Sequence, residues 1–375
     1  MTQNLKALVI GGGFSGMAAA IELRKQGVQV DLIEIDAGWR SYGAGISLGG
    51  ATLRAFRQLG ILEAFLREGN GADGVKLFLG NGQPIGELPT PRLAGPDTPG
   101  GGAIMRPTLA RLMAEATRAS GTQVHLGTGF ESIEQDAEGV TVRLTNGRSA
   151  RYDLVIGADG LYSKTRQTIF PDAPKPKYTG QAVWRAVLPR PAEVQCAMMW
   201  MGPRTKPGVN PVSKDQMYMF ITEHRPLNEH VDPKDFPRLM RELLADFSAP
   251  LVAQAREHIT ETSSIVFRPL EALLMPQPWF KGRVVLIGDA VHATTPHLAS
   301  GACIGIEDGL VLAECVGRGG PIQDTLQAFQ ERRWERCRMV VENSLRLGEI
   351  EMTNGNKDEH AQIMRESMMA LAQPI

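Results

Sequence analysis

A glycine-rich turn that starts ten residues into the chain decides most of what it can fold into. Leu5 to Ile10 is a short Val/Leu/Ile run, the pattern of a parallel strand buried on both faces. It breaks at Gly11-Gly12-Gly13-Phe14-Ser15-Gly16, and Met17 to Lys25 then reads as an alanine-rich helix stopped by Gly27. Val28 to Ile33 is a second strand ending at Glu34, so a complete βαβ unit occupies the first 34 residues. The order is the one a bound dinucleotide requires. Gly11 permits the tight turn, Gly13 lets backbone approach a diphosphate, and Gly16 lets helix and strand pack closely. The helix start at Phe14 and Ser15 presents N–H groups and the positive dipole end to that anion. Glu34, eighteen residues after Gly16, is placed to accept hydrogen bonds from a ribose diol. The plain alternative is a glycine turn with an ordinary surface glutamate.

Composition limits the rest. The chain has 375 residues, enough for two closely packed domains. A formal net charge of −1 offers no broad basic field to a nucleic acid. No apolar run is long enough to span a bilayer, and the N-terminus enters the first strand directly, so no signal peptide is read. Cys196, Cys303, Cys315 and Cys337 show neither CxxC nor metal-ligand spacing, which predicts free thiols, no metal and a cytoplasmic setting.

Further along, Thr52 to Leu59 and Pro107 to Arg118 have helical spacing, and Pro89 to Gly102 reads as a loop crossing between domains. Val140 to Leu144 followed by Asn146-Gly147 predicts a hairpin. Between about Tyr178 and Phe267 the character shifts to alternation, with strands expected at Ala182–Leu188, Gln195–Met201 and Met217–Thr222. Arg283 to Ile287 returns to a buried strand, and helices are expected at Ile304–Val316 and Leu326–Leu347.

Two later segments separate FAD from NAD. Asp153-Leu-Val-Ile-Gly157-Ala158-Asp159-Gly160-Leu-Tyr-Ser163-Lys-Thr-Arg166 and Arg283-Val-Val-Leu-Ile-Gly288-Asp289-Ala290-Val-His292-Ala-Thr-Thr-Pro296 resemble the second and third fingerprints of the class A flavoprotein monooxygenases. The three fingerprints stand in order over nearly the whole chain. The run from Pro296 through Gly301 and Ala302 to Asp308 is most similar to the salicylate- and 6-hydroxynicotinate-hydroxylase branch. The resemblance implies an α/β fold: a Rossmann-like FAD-binding domain of the para-hydroxybenzoate hydroxylase type, an inserted β-rich substrate domain and C-terminal helices. It divides the chain into FAD-binding segments 1–75, 98–176 and 269–350, substrate-domain segments 76–97 and 177–268, and a helical tail, 351–375.

By the same resemblance, Asp289 accepts hydrogen bonds from the ribityl chain of FAD, Gly288 lets backbone approach, and Gly301 and Ala302 aim N–H groups at the pyrimidine end of the flavin. Arg40 and Arg106 would sit near the diphosphate or the flavin, Asp159 would link FAD binding with nicotinamide approach, and Pro296 would press on the flavin where oxygen reacts. Ser300 departs from the Gln or Gly expected there. His292 is read as a hydrogen-bonded structural residue, and Arg166 as a structural partner for a nearby acid. The candidate substrate wall is Gln181, Arg185, Met199, Tyr218 and His297. Arg185 carries the sharpest expectation, because a strand arginine facing a pocket can hold a phenolate or carboxylate. No clear base emerges; His224, His230 and His258 read as surface residues.

The implied reaction is ring hydroxylation of a small phenol or N-heteroaromatic by FAD, NAD(P)H and dioxygen through a flavin hydroperoxide, NAD(P)H binding transiently. The rivals are an FAD oxidase or dehydrogenase of the same fold, a non-catalytic FAD-binding regulator and, more weakly, a plain NAD dehydrogenase. The assembly is left open, a homodimer among the options.

Overall fold

The computed structural model describes residues 5–202 and 205–375. Its floor is a six-stranded sheet with Lys6–Ile10 at the centre, flanked by Gln29–Glu34 and Gln123–Leu126 on one side and Leu154–Gly157 and Val284–Leu286 on the other. These five are parallel, and Phe280–Lys281 closes one edge antiparallel. Val9 sits in register with both Leu32 and Ile156, so the first strand is apolar because it is covered on every side. The chain leaves this strand in both directions. A crevice therefore opens beyond the carboxyl ends of the strands, at the switch point where open α/β sheets bind ligands.

Two helices cover one face side by side, Phe14–Lys25 and Gly301–Arg318. Their contacts fix a parallel pairing: Gly305 lies against Ser15, Gly309 against Ala18 and Ala19, and Gly317 against Gln26. A Cβ on Gly309 would stand 2.4 Å from the Ala19 backbone nitrogen. Glycine there is what lets the two backbones touch, and it brings both helix N-termini to the same crevice.

Above the crevice lies a seven-stranded sheet, in order Ile265–Ala272, Lys177–Pro189, Gln216–His224, Gly208–Pro211, Ala197–Met201, Val75–Leu79 and Pro84–Leu88. The alternation along Lys177–Pro189 sorts its faces. Trp184, Ala186 and Leu188 point outward into a core sealed by helices Phe236–Leu244 and Pro250–His258. Trp184 is fully buried there, edge-on to Phe236 at 5.3 Å. Val183, Arg185 and Val187, of opposite parity, face the crevice. A three-stranded sheet (Gly45–Gly49, Gly101–Met105, Asn70–Ala72) and the hairpin sheet Phe130–Tyr152 complete the mixed layers. The chain ends in a 32-residue helix, Ile322–Thr353, and a second one, Lys357–Ala372. No helix among the described residues is long and apolar enough to cross a membrane.

Candidate active site

The floor of the crevice is built from the glycine turn. Gly11 takes φ +107°, and a Cβ there would strike the Ala158 carbonyl oxygen at 2.4 Å; one on Gly16 would lie 2.1 Å from the Gly11 oxygen. Gly13 differs, because a Cβ on it would meet no protein atom within 4 Å. Its small size serves the open space in front of it. Glu34 accepts from the Gly12 N–H at 2.7 Å and the Asp36 N–H at 2.8 Å, so the carboxylate at the strand end also braces the turn. Trp39, which sequence reading passed over, donates its indole N–H to the Gly12 carbonyl at 2.8 Å.

Neither helix that starts here has a capping side chain or an acidic residue in its first turn. Each leaves its first N–H groups free, and parallel dipoles side by side repel unless negative charge lies across their positive ends. The donor set thus fits a diphosphate and an electron-rich ring edge.

Asp289 follows the strand Val284–Leu286, with its carboxylate open to the crevice and enclosed by protein elsewhere. That enclosure raises its pKa, against the pull of His292 and Arg106. Arg106 begins the helix Arg106–Ala119 and lies 5.3 Å from the centre of the Phe14 ring. It too is open to the crevice yet enclosed by protein, which lowers its pKa, while Asp289 counters. From the ceiling come Arg185 and, on the neighbouring strand, Arg268. Burial also lowers the pKa of Arg185; Tyr218 opposes the shift, and Arg106 and Arg268 add to it by repulsion. Among the described residues none of these three guanidinium groups has a hydrogen bond or ion pair, and their positive charges face one another across the crevice. Arg185 and Arg106, enclosed without an ion-pair partner, carry a desolvation cost that an entering anion offsets, while Arg268 stands exposed on the edge strand.

One transverse row of the ceiling sets Met199, Gly208, Phe220, Arg185 and Val266 in register on the crevice side. Gly208 leaves the room that the Phe220 ring fills. The next row carries Asn210, Tyr218 and Val187. Tyr218 packs on Gly45, and its hydroxyl pairs with Ser47, tying the ceiling to the three-stranded sheet. Burial raises the pKa of that phenol.

Other expected residues stand elsewhere. The Arg40 guanidinium is committed to Asp36 at 2.9 Å and lies over Tyr42 on the exposed surface, because a short loop folds it back. Asp159 accepts from the Thr165 N–H and hydroxyl (2.8 and 2.9 Å) and from Ser163, which ties it to the start of helix Lys164–Ile169. Arg166 is buried and donates to the carbonyls of Ala290 and Leu161, both at 2.8 Å, rather than to an acid. Pro296 opens a short 3₁₀ turn ahead of Gly301 and Ala302. Gln181 and His297 meet over Gly348 of the long helix, where His297 bonds Thr295 at 2.8 Å with its ring closed off from solvent. Ser300 donates to the Leu298 carbonyl at 2.7 Å. His292 is buried against Asp308 at 2.6 Å. His224, His230 and His258 are exposed, and the four cysteines are free and buried.

Comparison with known proteins agrees with the geometry. The family model described as FAD binding domain matches residues 4–344. Aurachin C monooxygenase/isomerase of Stigmatella aurantiaca is 31% identical over 357 residues, covering 93% of this chain and 90% of its own length. A 3-amino-4-hydroxybenzoate 2-monooxygenase of Streptomyces cremeus is 29% identical over 358 residues, covering 92% and 88%. The crystal structure of Klebsiella pneumoniae HpxO complexed with FAD and uric acid matches the fold with a TM-score of 0.81 at 24% identity, over 99% of this chain and 93% of that one. The chain belongs to the FAD binding domain family, as an FAD-dependent monooxygenase of the class A aromatic-hydroxylase type.

Proposed function

We propose that the protein hydroxylates a small phenolic or N-heteroaromatic acid that enters the crevice as an anion, with NAD(P)H as reductant. The observation that carries this reading is the set of guanidinium groups that make no hydrogen bond or ion pair among the described residues, the enclosed Arg185 and the more open Arg268 above and Arg106 below. FAD, when bound, supplies electron transfer from the reduced nicotinamide and the activation of dioxygen. The diphosphate is held by the N–H groups at Phe14 and Ser15 and the opening at Gly13; Asp289 takes the ribityl hydroxyls. Gly301 and Ala302 begin the second positive helix end, which favours negative charge on the flavin ring.

Arg185 does two things for the substrate. It fixes a carboxylate or phenolate in a geometry set by its strand, and its charge favours the ionised phenol, the form richest in ring electrons. Phe220, Met199 and Tyr218 make the apolar wall that excludes water and packs the ring. The helix-side cluster of Pro296, His297 and Gln181 borders the site from the flank. His297, shut against Gly348, serves there as a positioning residue for the Pro296 turn.

The test is anaerobic flavin reduction by NADH and NADPH, with and without a panel of hydroxybenzoates, hydroxypyridines and hydroxyquinolines, followed by 18O2 incorporation. A ring acid that accelerates reduction and acquires labelled oxygen supports the proposal. Fast ligand-independent reduction without label in any product refutes it in favour of an oxidase or dehydrogenase.

A further inference from the structure

The turn that presents Asp289 is held from behind. Gly288 takes φ +61°, a conformation that favours glycine, and its buried N–H donates to the Asp308 carboxylate at 2.9 Å. The same oxygen meets His292 at 2.6 Å, and the other takes the Arg333 Nε at 2.8 Å. Arg333, on the long helix, also reaches Glu307 at 3.0 Å. Glu307 is bound again by Arg336 through Nε at 2.8 Å and a terminal nitrogen at 2.7 Å. Arg336 in turn donates to the carbonyls of Ala370 and Leu371, at 2.8 and 2.9 Å.

Those carbonyls belong to the last turn of the final helix, where unsatisfied C=O groups gather negative charge. Two more arginines meet the same end: Arg54 at the carbonyls of Ala372 and Gln373, and Arg332 at Ile375. A continuous ionic chain thus runs from the C-terminal residues through Arg336, Glu307, Arg333 and Asp308 to the Gly288 amide. His292, Asp308 and Cys337 bring ligand-type atoms together, but Arg333 already fills the Asp308 carboxylate with positive charge, so the group reads as part of this chain rather than as a metal centre.

We propose that the C-terminal residues 370–375 are positioning elements for the cofactor: through Arg336 and Arg333 they hold the Gly288–Asp289 turn in the shape that binds FAD. Buried members of such a chain are costly to leave half-satisfied, so loosening one end is felt at the other. The tail also braces Arg54 and Arg332, and the link that reaches the cofactor turn runs through Arg336.

The test compares the 375-residue protein with Arg336→Met, with a chain ending at Met369, and with Arg346→Gln as control. Arg346 ties the beginning of the same final helix, to Glu359 at 2.7 Å, without joining the ionic chain. Flavin-stripped proteins are titrated with FAD by fluorescence quenching, and amide hydrogen exchange is followed on a peptide spanning 284–292. The expected result is a roughly tenfold weaker FAD Kd and faster exchange at the turn for Arg336→Met and the truncation, with Arg346→Gln within twofold of the parent. Unchanged Kd and exchange in Arg336→Met overturns the proposal, as does an equal loss in Arg346→Gln. If the truncated chain does not fold, the two point variants decide the matter.

Discussion

Three glycines of the first turn look interchangeable in sequence and are not so in structure. Their alanine variants make a sharp test of where the cofactor sits. In Gly16→Ala the added methyl lies 2.1 Å from the Gly11 carbonyl oxygen, a contact backbone must move to relieve. Overpacking of this kind costs about 1–3 kcal/mol and destabilises the apoprotein itself. Gly11→Ala adds the strain of φ +107° to a 2.4 Å approach to Ala158 and lies at least as high in that range. Gly13→Ala meets no protein atom within 4 Å, and its φ of −75° suits alanine. Its loss as a helix-capping glycine and its gain in unfolded-state entropy, each about 0.5–1 kcal/mol, nearly cancel. The apoprotein of Gly13→Ala therefore keeps its stability within about 0.5 kcal/mol, while its FAD affinity falls tenfold or more, at least about 1.4 kcal/mol. Urea unfolding of the apoproteins measures the first quantity and fluorescence titration with FAD the second. A Gly13→Ala protein that binds FAD like the parent would show that the opening at Gly13 does not face the diphosphate. One that unfolds as readily as Gly16→Ala would refute the packing argument.

Three further outcomes follow from the site. Arg185→Met should raise the KM for an anionic ring substrate about 30-fold or more, since a buried charge-assisted contact contributes about 2 kcal/mol or more, while flavin content stays at parent level; steady-state kinetics and the flavin absorbance ratio check this. Asp159→Asn keeps an acceptor on only one side, so either the Thr165 pair or the Ser163 hydroxyl loses its partner, and a loss of about 1–3 kcal/mol in urea unfolding is expected with FAD affinity moved less than threefold. Burial opposes ionisation of Asp308, but His292 and Arg333 overcome it and hold its pKa down to about 2. A depressed carboxylate gives its stability above the unfolded value, near 3.9, so this contribution, about 2–3 kcal/mol, is whole above about pH 5 and lost progressively as pH falls toward 2. Acid titration of stability should lose that component in Asp308→Asn; an unchanged slope between pH 4 and 2 contradicts the assignment.

Much of the floor was legible because buried parallel strands and glycine turns depend on near neighbours in the chain. Val140–Leu144 is observed as read, and the strand expected at Leu5–Ile10 begins one residue later. The first helix starts at Phe14 rather than Met17, because Gly13 ends the extended backbone and the turn residues are already helical. The strand expected at Ala182–Leu188 runs Lys177–Pro189, longer because pairing on both sides sustains it past its apolar centre. Phe220 was within reach, two residues beyond Tyr218 and so on the same face. Arg268 was not: Pro269 beside it argues against a strand, and only its position on a sheet edge makes the pairing possible. The commitments of Arg40 to Asp36 and of Arg333 to Asp308 depend on which of many charges lie nearby, and spacing does not encode that choice.

The strand order of the floor also constrains how the molecule is made. Lys6–Ile10 finds one neighbour at Gln29–Glu34, but its other waits for Leu154–Gly157, and that strand waits for Val284–Leu286. The second positive helix end begins later still, at Gly301. At synthesis rates of about 5–20 residues per second, the first strand spends on the order of 15–60 s without its finished sheet. An apolar, unpaired strand edge is exposed for that time, so demand for chaperones and sensitivity to fast expression should concentrate in this interval. FAD has nothing complete to bind until Gly301 and the start of its helix have emerged, so the cofactor can act on folding only after that point.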